Sequence, residues 1–137
     1  MKMNPEQFIE YFVKAFIQKS RRKRLLFELT RKEHRYDGVS RFCHQAEDLL
    51  EPSRILLKGK DMDRTQEFRH FVLQHDEMCL VLSPDDSLDG QYLSLEDAVK
   101  QAEICPDAVL LLGKTFVVVY AEPMKGGRDK YLLSENK

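Results

Sequence analysis

Ala108-Val109-Leu110-Leu111-Leu112-Gly113-Lys114-Thr115-Phe116-Val117-Val118-Val119-Tyr120-Ala121 holds two apolar runs parted by a glycine and a lysine. The second run is almost wholly β-branched or aromatic, side chains that suit a pleated, half-buried surface. Two such runs joined by Gly113-Lys114 read as a hairpin with a type II′ turn, Gly113 supplying the positive φ that such a turn needs. Neither run alternates between polar and apolar residues, so the pattern predicts strands covered on both faces. One long buried helix fits less well, because three consecutive valines lose side-chain freedom in a helix. A membrane span needs a longer, unbroken run. The hairpin is core and not a site.

Upstream of the hairpin, helical and strand-like segments alternate. Asn4-Pro5-Glu6 opens a helix with a capping residue, proline at the first helical position and an acid near the positive end of the dipole. Phe8, Ile9, Phe12, Val13, Phe16 and Ile17 follow at helical spacing as far as about Lys19. The stripe reads as core, with a partner surface through Phe8, Phe12 and Phe16 as the functional alternative. Leu25, Leu26, Phe27 and Leu29 predict further helical turns. Tyr36-Asp37-Gly38 reads as a turn or a helix start. Val39, Phe42, Cys43, Ala46, Leu49 and Leu50 give a second amphipathic helix that Glu51-Pro52 ends.

Arg54–Lys58 and Met78–Leu82 are strand candidates, Gln91–Leu93 a short one and Lys130–Ser134 a last one. Asp63-Arg64-Thr65-Gln66 and Ser94-Leu95-Glu96-Asp97 each resemble a capping box. The helix after the first carries Phe68, Phe71 and Val72. The helix after the second carries Leu95, Ala98, Val99 and Ala102 and stops at Cys105-Pro106. The expectation is one α+β domain over residues 1–137, with mixed α/β as the alternative. It has N-terminal helices over 5–50, a sheet-containing body over 54–134 and a C-terminal hairpin at 108–121. About four helices would pack on a mixed or antiparallel sheet of four to six strands, with parallel crossovers between Arg54 and Leu112.

At 137 residues the chain is long enough to bury a sizeable core. A 33% share of charged residues with a net charge of −1 fits a soluble protein and names no partner. The two halves differ: residues 1–70 hold 16 Lys+Arg and 11 Asp+Glu, residues 71–137 hold 6 and 12. Such polarity fits one face for an anionic partner. Cys43, Cys79 and Cys105 are odd in number and lack CxxC spacing, and the N-terminus does not read as a signal peptide. Reduced thiols and a cytoplasmic location are therefore expected.

The basic stretch Lys19–Arg35 is the clearest candidate for chemistry, with Arg21, Arg22, Lys23, Arg24, Arg31, Lys32 and Arg35 as contacts to nucleic acid or another polyanion. Phe27, Tyr36 and Phe42 are possible stacking partners. The competing reading is a solvated helix face whose Lys and Arg stems cover apolar surface. His34 lies near Asp37, and His44 is four residues from Asp48, so either histidine is a general-base candidate for a hydrolase or nuclease. Cys43, His44, His70, His75 and Cys79 match no recurring zinc spacing. Asp85, Ser87 and Asp89 alternate as calcium ligands do, but Gly90 and Glu96 fit the loop only in spacing, without flanking helices. Gly126-Gly127-Arg128 offers backbone N–H groups to an anion without a P-loop or dinucleotide fingerprint. No metal and no cofactor is expected. The leading functional expectation is a small, non-enzymatic domain that binds a protein partner or itself, through the N-terminal helix or an exposed sheet edge.

Overall fold

The structure, a computed structural model, describes residues 3–135. Asn4 caps α1 (Pro5–Phe16) through a reciprocal pair: its side chain accepts from the Gln7 N–H at 2.9 Å, and the Gln7 side chain accepts from the Asn4 N–H at 2.8 Å. The helix stops short of Lys19. Ile17 is extended and forms an antiparallel bridge with Leu50, and the Glu51 N–H donates to the Phe16 carbonyl. The two ends of the N-terminal helical region are thereby tied together.

Between these ends lie α2 (Arg22–Thr30), α3 (Lys32–His44) and the single turn α4 (Ala46–Leu49). The expected turn at Tyr36-Asp37-Gly38 is absent, since α3 runs straight through it. Gly38 serves a different purpose there. A Cβ on Gly38 would lie 2.9 Å from the Glu28 Cβ, so the glycine lets α2 and α3 approach closely. Gln45 breaks the predicted second amphipathic helix into α3 and α4.

Next come β1 (Ile55–Lys58), α5 (Gln66–Gln74) and β2 (Met78–Leu82), the last of which pairs with the hairpin. The cap of α5 is Thr65, whose Oγ1 accepts from the Phe68 N–H at 3.2 Å; Asp63 is drawn instead into an ion pair with Lys130. Then come β3 (Tyr92–Ser94), α6 (Leu95–Ile104) capped by Ser94, β4 (Val109–Leu112), β5 (Phe116–Tyr120) and β6 (Lys130–Ser134).

The six strands lie in the order β1-β6-β5-β4-β2-β3, and every neighbouring pair is antiparallel. The chain is an α+β single domain, and of the mixed or antiparallel sheet expected it forms the antiparallel one; the parallel crossovers do not join neighbouring strands. β3 and β4 do run the same way, joined by α6, but β2 lies between them and is antiparallel to both. Helix–strand alternation correctly implies a crossover; it does not say that the crossed strands are neighbours.

Helices cover both faces of the sheet. Leu80, Leu82, Leu110, Leu112, Val117 and Val119 pack against α1, α2 and α3. Cys79, Val81, Leu111, Val118, Tyr120 and Leu132 pack against α5 and α6. Consecutive residues of β4 and β5 therefore enter opposite cores, which is why those strands show no polar alternation. Leu112 pairs with Val117, so the two-residue turn is Lys114-Thr115, one position later than expected. Gly113 does not have positive φ.

Candidate functional site

Phe8, Phe12 and Phe16 are 3, 1 and 0% exposed and sit in the core against the sheet, Phe12 meeting the Phe42 ring edge-on at 5.6 Å. The partner surface expected of these three rings is corrected: burying each contributes about 1.5–3 kcal/mol to the fold and leaves almost no area for a partner.

The basic stretch divides into cations engaged by the fold and cations facing water. Arg22 Nε donates to the Ile17 carbonyl at 2.9 Å, and Arg35 Nε donates to the Leu29 carbonyl at 3.0 Å. Arg35 also pairs with Asp89 across the molecule at 3.1 Å. Arg24 lies 4.0 Å from Glu28, which is itself held by Arg41. Arg21, Lys23 and Lys32 are exposed and have no ion pair among the described residues. Arg31 lies 4.6 Å over the exposed Phe27 ring, and His34 packs 5.3 Å from the same ring. Tyr36 is exposed, whereas Phe42 is buried.

Neither His34 nor His44 has a hydrogen bond or ion pair with a carboxylate among the described residues, so the expected histidine–acid pairs are not assembled. Cys43 and Cys79 belong to cores on opposite faces of the sheet and do not converge. The alternating acids of the 85–89 loop are used by the turn itself. Asp85 Oδ1 accepts from the Ser87 N–H and O–H at 2.9 and 2.6 Å, and Asp89 Oδ1 accepts from the Ser83 N–H at 3.0 Å. These bonds to Ser87 hold the Asp85 carboxyl below its ordinary value. Asp85, Cys105 and Asp107 bring one ligand atom each within 4.8 Å of one another.

Two further features had no sequence signal. The first is a groove of about 660 Å³ at the β3 end of the sheet, between the start of α1 and the β2–β3 pair. Met78 (50% exposed) and Tyr92 (38% exposed) form its apolar wall, with the edge of Phe8, whose ring lies 5.9 Å from that of Tyr92. Glu77 and Lys114 stand at the same groove with opposite charges. The Val81 N–H donates to Gln91 and the Leu95 N–H to Glu77. Antiparallel alternation then turns the backbone N–H and C=O of Tyr92 outward. The opposite edge is guarded: the β1–β6 register shifts between Ile55 and Leu57, and Lys58 closes the strand. A bulge and an edge lysine are recognised devices against strand pairing. Tyr92–Ser94 carries no lysine and pairs with β2 in regular register; the bulge on this side, Gly90 and Gln91 opposite Val81, lies just before the strand.

The second feature is a polar cavity of about 310 Å³ bounded by Asp63, Arg64, Arg69, Glu103, Arg128 and Lys130. Arg128, expected in a flexible glycine turn, is 9% exposed and clamps the end of α6. Its Nε donates to Ala121, Nη1 to Ala102 and Cys105, and Nη2 to Asp107, all carbonyls at 2.8–3.0 Å. The cationic head thus meets the negative end of the helix dipole. Lys130 donates to Asp63 at 2.8 Å and to the Lys60 carbonyl at 2.7 Å.

Compared with protein families, with curated proteins and with solved structures, the chain matches none of them. Among the described residues no helix is long and apolar enough to cross a membrane.

Proposed function

We propose that the protein is a protein-interaction domain that associates with a second copy of itself through the β3 edge. The observation that carries this reading is the contrast between the two sheet edges: β1 is bulged within the strand and ends on Lys58, whereas at the other edge Tyr92 of β3 and Met78 of the adjoining β2 are exposed beside an apolar groove. A two-fold axis at β3 would present the same patch on both chains, and a patch holding Glu77 and Lys114 offers both signs of charge to its copy. The edge is three residues long, so the association is weak and concentration-dependent rather than obligate.

Sedimentation equilibrium from micromolar to millimolar chain tests this. The expected result is a monomer–dimer equilibrium that Tyr92→Lys and Met78→Lys each displace to monomer. A single monomeric mass throughout the range, or a dimer indifferent to both substitutions, overturns the reading.

A second reading, binding of a polyanion, is favoured by the exposed Phe27 ring flanked by Arg31 and His34 beside free Arg21, Lys23 and Lys32. Fluorescence anisotropy with single-stranded RNA and duplex DNA across a salt series tests it. Binding should weaken steeply with salt, and replacing Arg21, Lys23 and Lys32 with Ser should flatten the slope. Absence of binding at low salt removes this reading.

A further inference from the structure

The cavity between α5, α6 and β6 holds hydrogen-bond donors that the fold leaves unused. Four of the five N–H groups of Arg128 go to carbonyls, leaving one without a partner. Lys130 has three N–H groups and two partners. Tyr120, directly across from Lys130 on β5, is wholly buried, and its hydroxyl has no hydrogen-bond partner. The Arg128 guanidinium lies 5.4 Å over the Tyr120 ring, which sits behind the cavity wall and does not line it. Arg64 and Arg69 stand exposed at the rim without an ion pair among the described residues.

The charges point the same way. Four cations bound the cavity against two carboxylates, Asp63 and Glu103. The Asp63 carboxylate is already committed to Lys130; their side chains are 7 and 12% exposed. Arg128 has carbonyls around it and no carboxylate in an ion pair. Buried polar groups normally find partners, and a set of unspent donors with surplus positive charge calls for an acceptor-only ligand. Oxyanions answer that description: they accept on every oxygen, and guanidinium groups present paired N–H bonds that match them.

From this convergence we propose that the cavity is a binding site for a small phosphate-type oxyanion, free or as the head of a phosphomonoester. Lys130 and Arg128 form its floor, and Arg64 and Arg69 close over it from the rim. The site is remote in sequence from the β3 edge and does not depend on self-association.

The test is isothermal titration of inorganic phosphate into the full chain, with chloride at matched ionic strength as the control. Phenyl phosphate in a parallel titration separates a free-anion site from one that admits an esterified head. Saturable binding of phosphate is expected, weakened about tenfold or more by Arg69→Gln and by Arg64→Gln, since each removes a charge-assisted pair. Both residues are exposed, so these variants keep the fold, and circular dichroism checks it. No saturable heat with phosphate, or binding that Arg64→Gln and Arg69→Gln leave intact, overturns the proposal. If phosphate binds and phenyl phosphate does not, the cavity takes the free anion.

Discussion

Gly113 lies beneath the ring of Phe116: a Cβ built on Gly113 would fall 2.4 Å from the Phe116 Cζ and 2.5 Å from its Cε2. The turn therefore needs glycine for space rather than for a left-handed backbone, because Gly113 has an ordinary φ. Phe116 is fully buried and meets Phe71 edge-on at 5.4 Å, so the ring cannot simply swing away. Gly113→Ala should cost about 1–3 kcal/mol, the usual range for forcing extra volume into a packed site. Urea unfolding measures it. In a Phe116→Leu background the same change should cost markedly less, and equal costs in both backgrounds would show that the two residues are not coupled.

The thiols should differ in reactivity. Burial pushes the Cys79 thiol up to about 12, helped by the Glu77 carboxylate, and burial likewise raises Cys43 well above its ordinary value. At pH 8 a thiol titrating near 12 is thiolate in only about one molecule in ten thousand. Cys105 is also buried, but it lines a separate surface cavity together with Asp85, Ser87 and Ile104. A disulfide reagent should therefore label Cys105 first in the native protein and reach Cys43 and Cys79 only with unfolding. Mass spectrometry of the labelled peptides with and without denaturant checks the order.

Glu103 makes the stability sensitive to pH. Glu103 is exposed, but partial desolvation of its carboxyl at the cavity wall, and next the Asp63 carboxylate beside it, raise its pKa above the ordinary 4.5. A carboxyl raised on folding favours its protonated form in the native state, so the native state holds more protons than the unfolded chain. Its contribution is present below pH 4.5 and is lost as pH rises through the raised native value. Glu103→Gln keeps the neutral shape. Thermal unfolding should show that the variant lacks this decline and is the more stable protein at neutral pH. A decline of equal size in the variant would assign it to other groups.

What could be read from the sequence follows from the range over which each signal acts. Caps, helical stripes and strand composition are local, so Asn4, the α1 stripe and the runs Met78–Leu82 and Lys130–Ser134 were legible as elements. Local rules treat glycine as a turn former, whereas Phe116 and Glu28 make Gly113 and Gly38 a matter of space, which local sequence does not show. The antiparallel order was hidden because alternation of helix and strand is the same whether a crossover skips one strand or none. The cavity residues Asp63, Glu103, Arg128 and Lys130 come from three separate segments, and only tertiary packing brings them together.

Loss of Arg128 should be the most damaging of the polar substitutions. Four carbonyls, from the α6 terminus, the loop after it and Ala121 after β5, converge on one planar head. Lysine supplies three donors from a single nitrogen and cannot reproduce that fork. Arg128→Lys therefore leaves buried carbonyls unpaired, each costing about 1–3 kcal/mol, for a total loss of about 3 kcal/mol or more. The urea midpoint should fall with an unchanged slope, as befits a loss of stability without a change in the surface exposed on unfolding. Amide exchange should accelerate first in the last turn of α6, before the α1–α3 region responds. A drop of less than 1 kcal/mol would mean that water takes over those carbonyls and that the clamp contributes little to the fold.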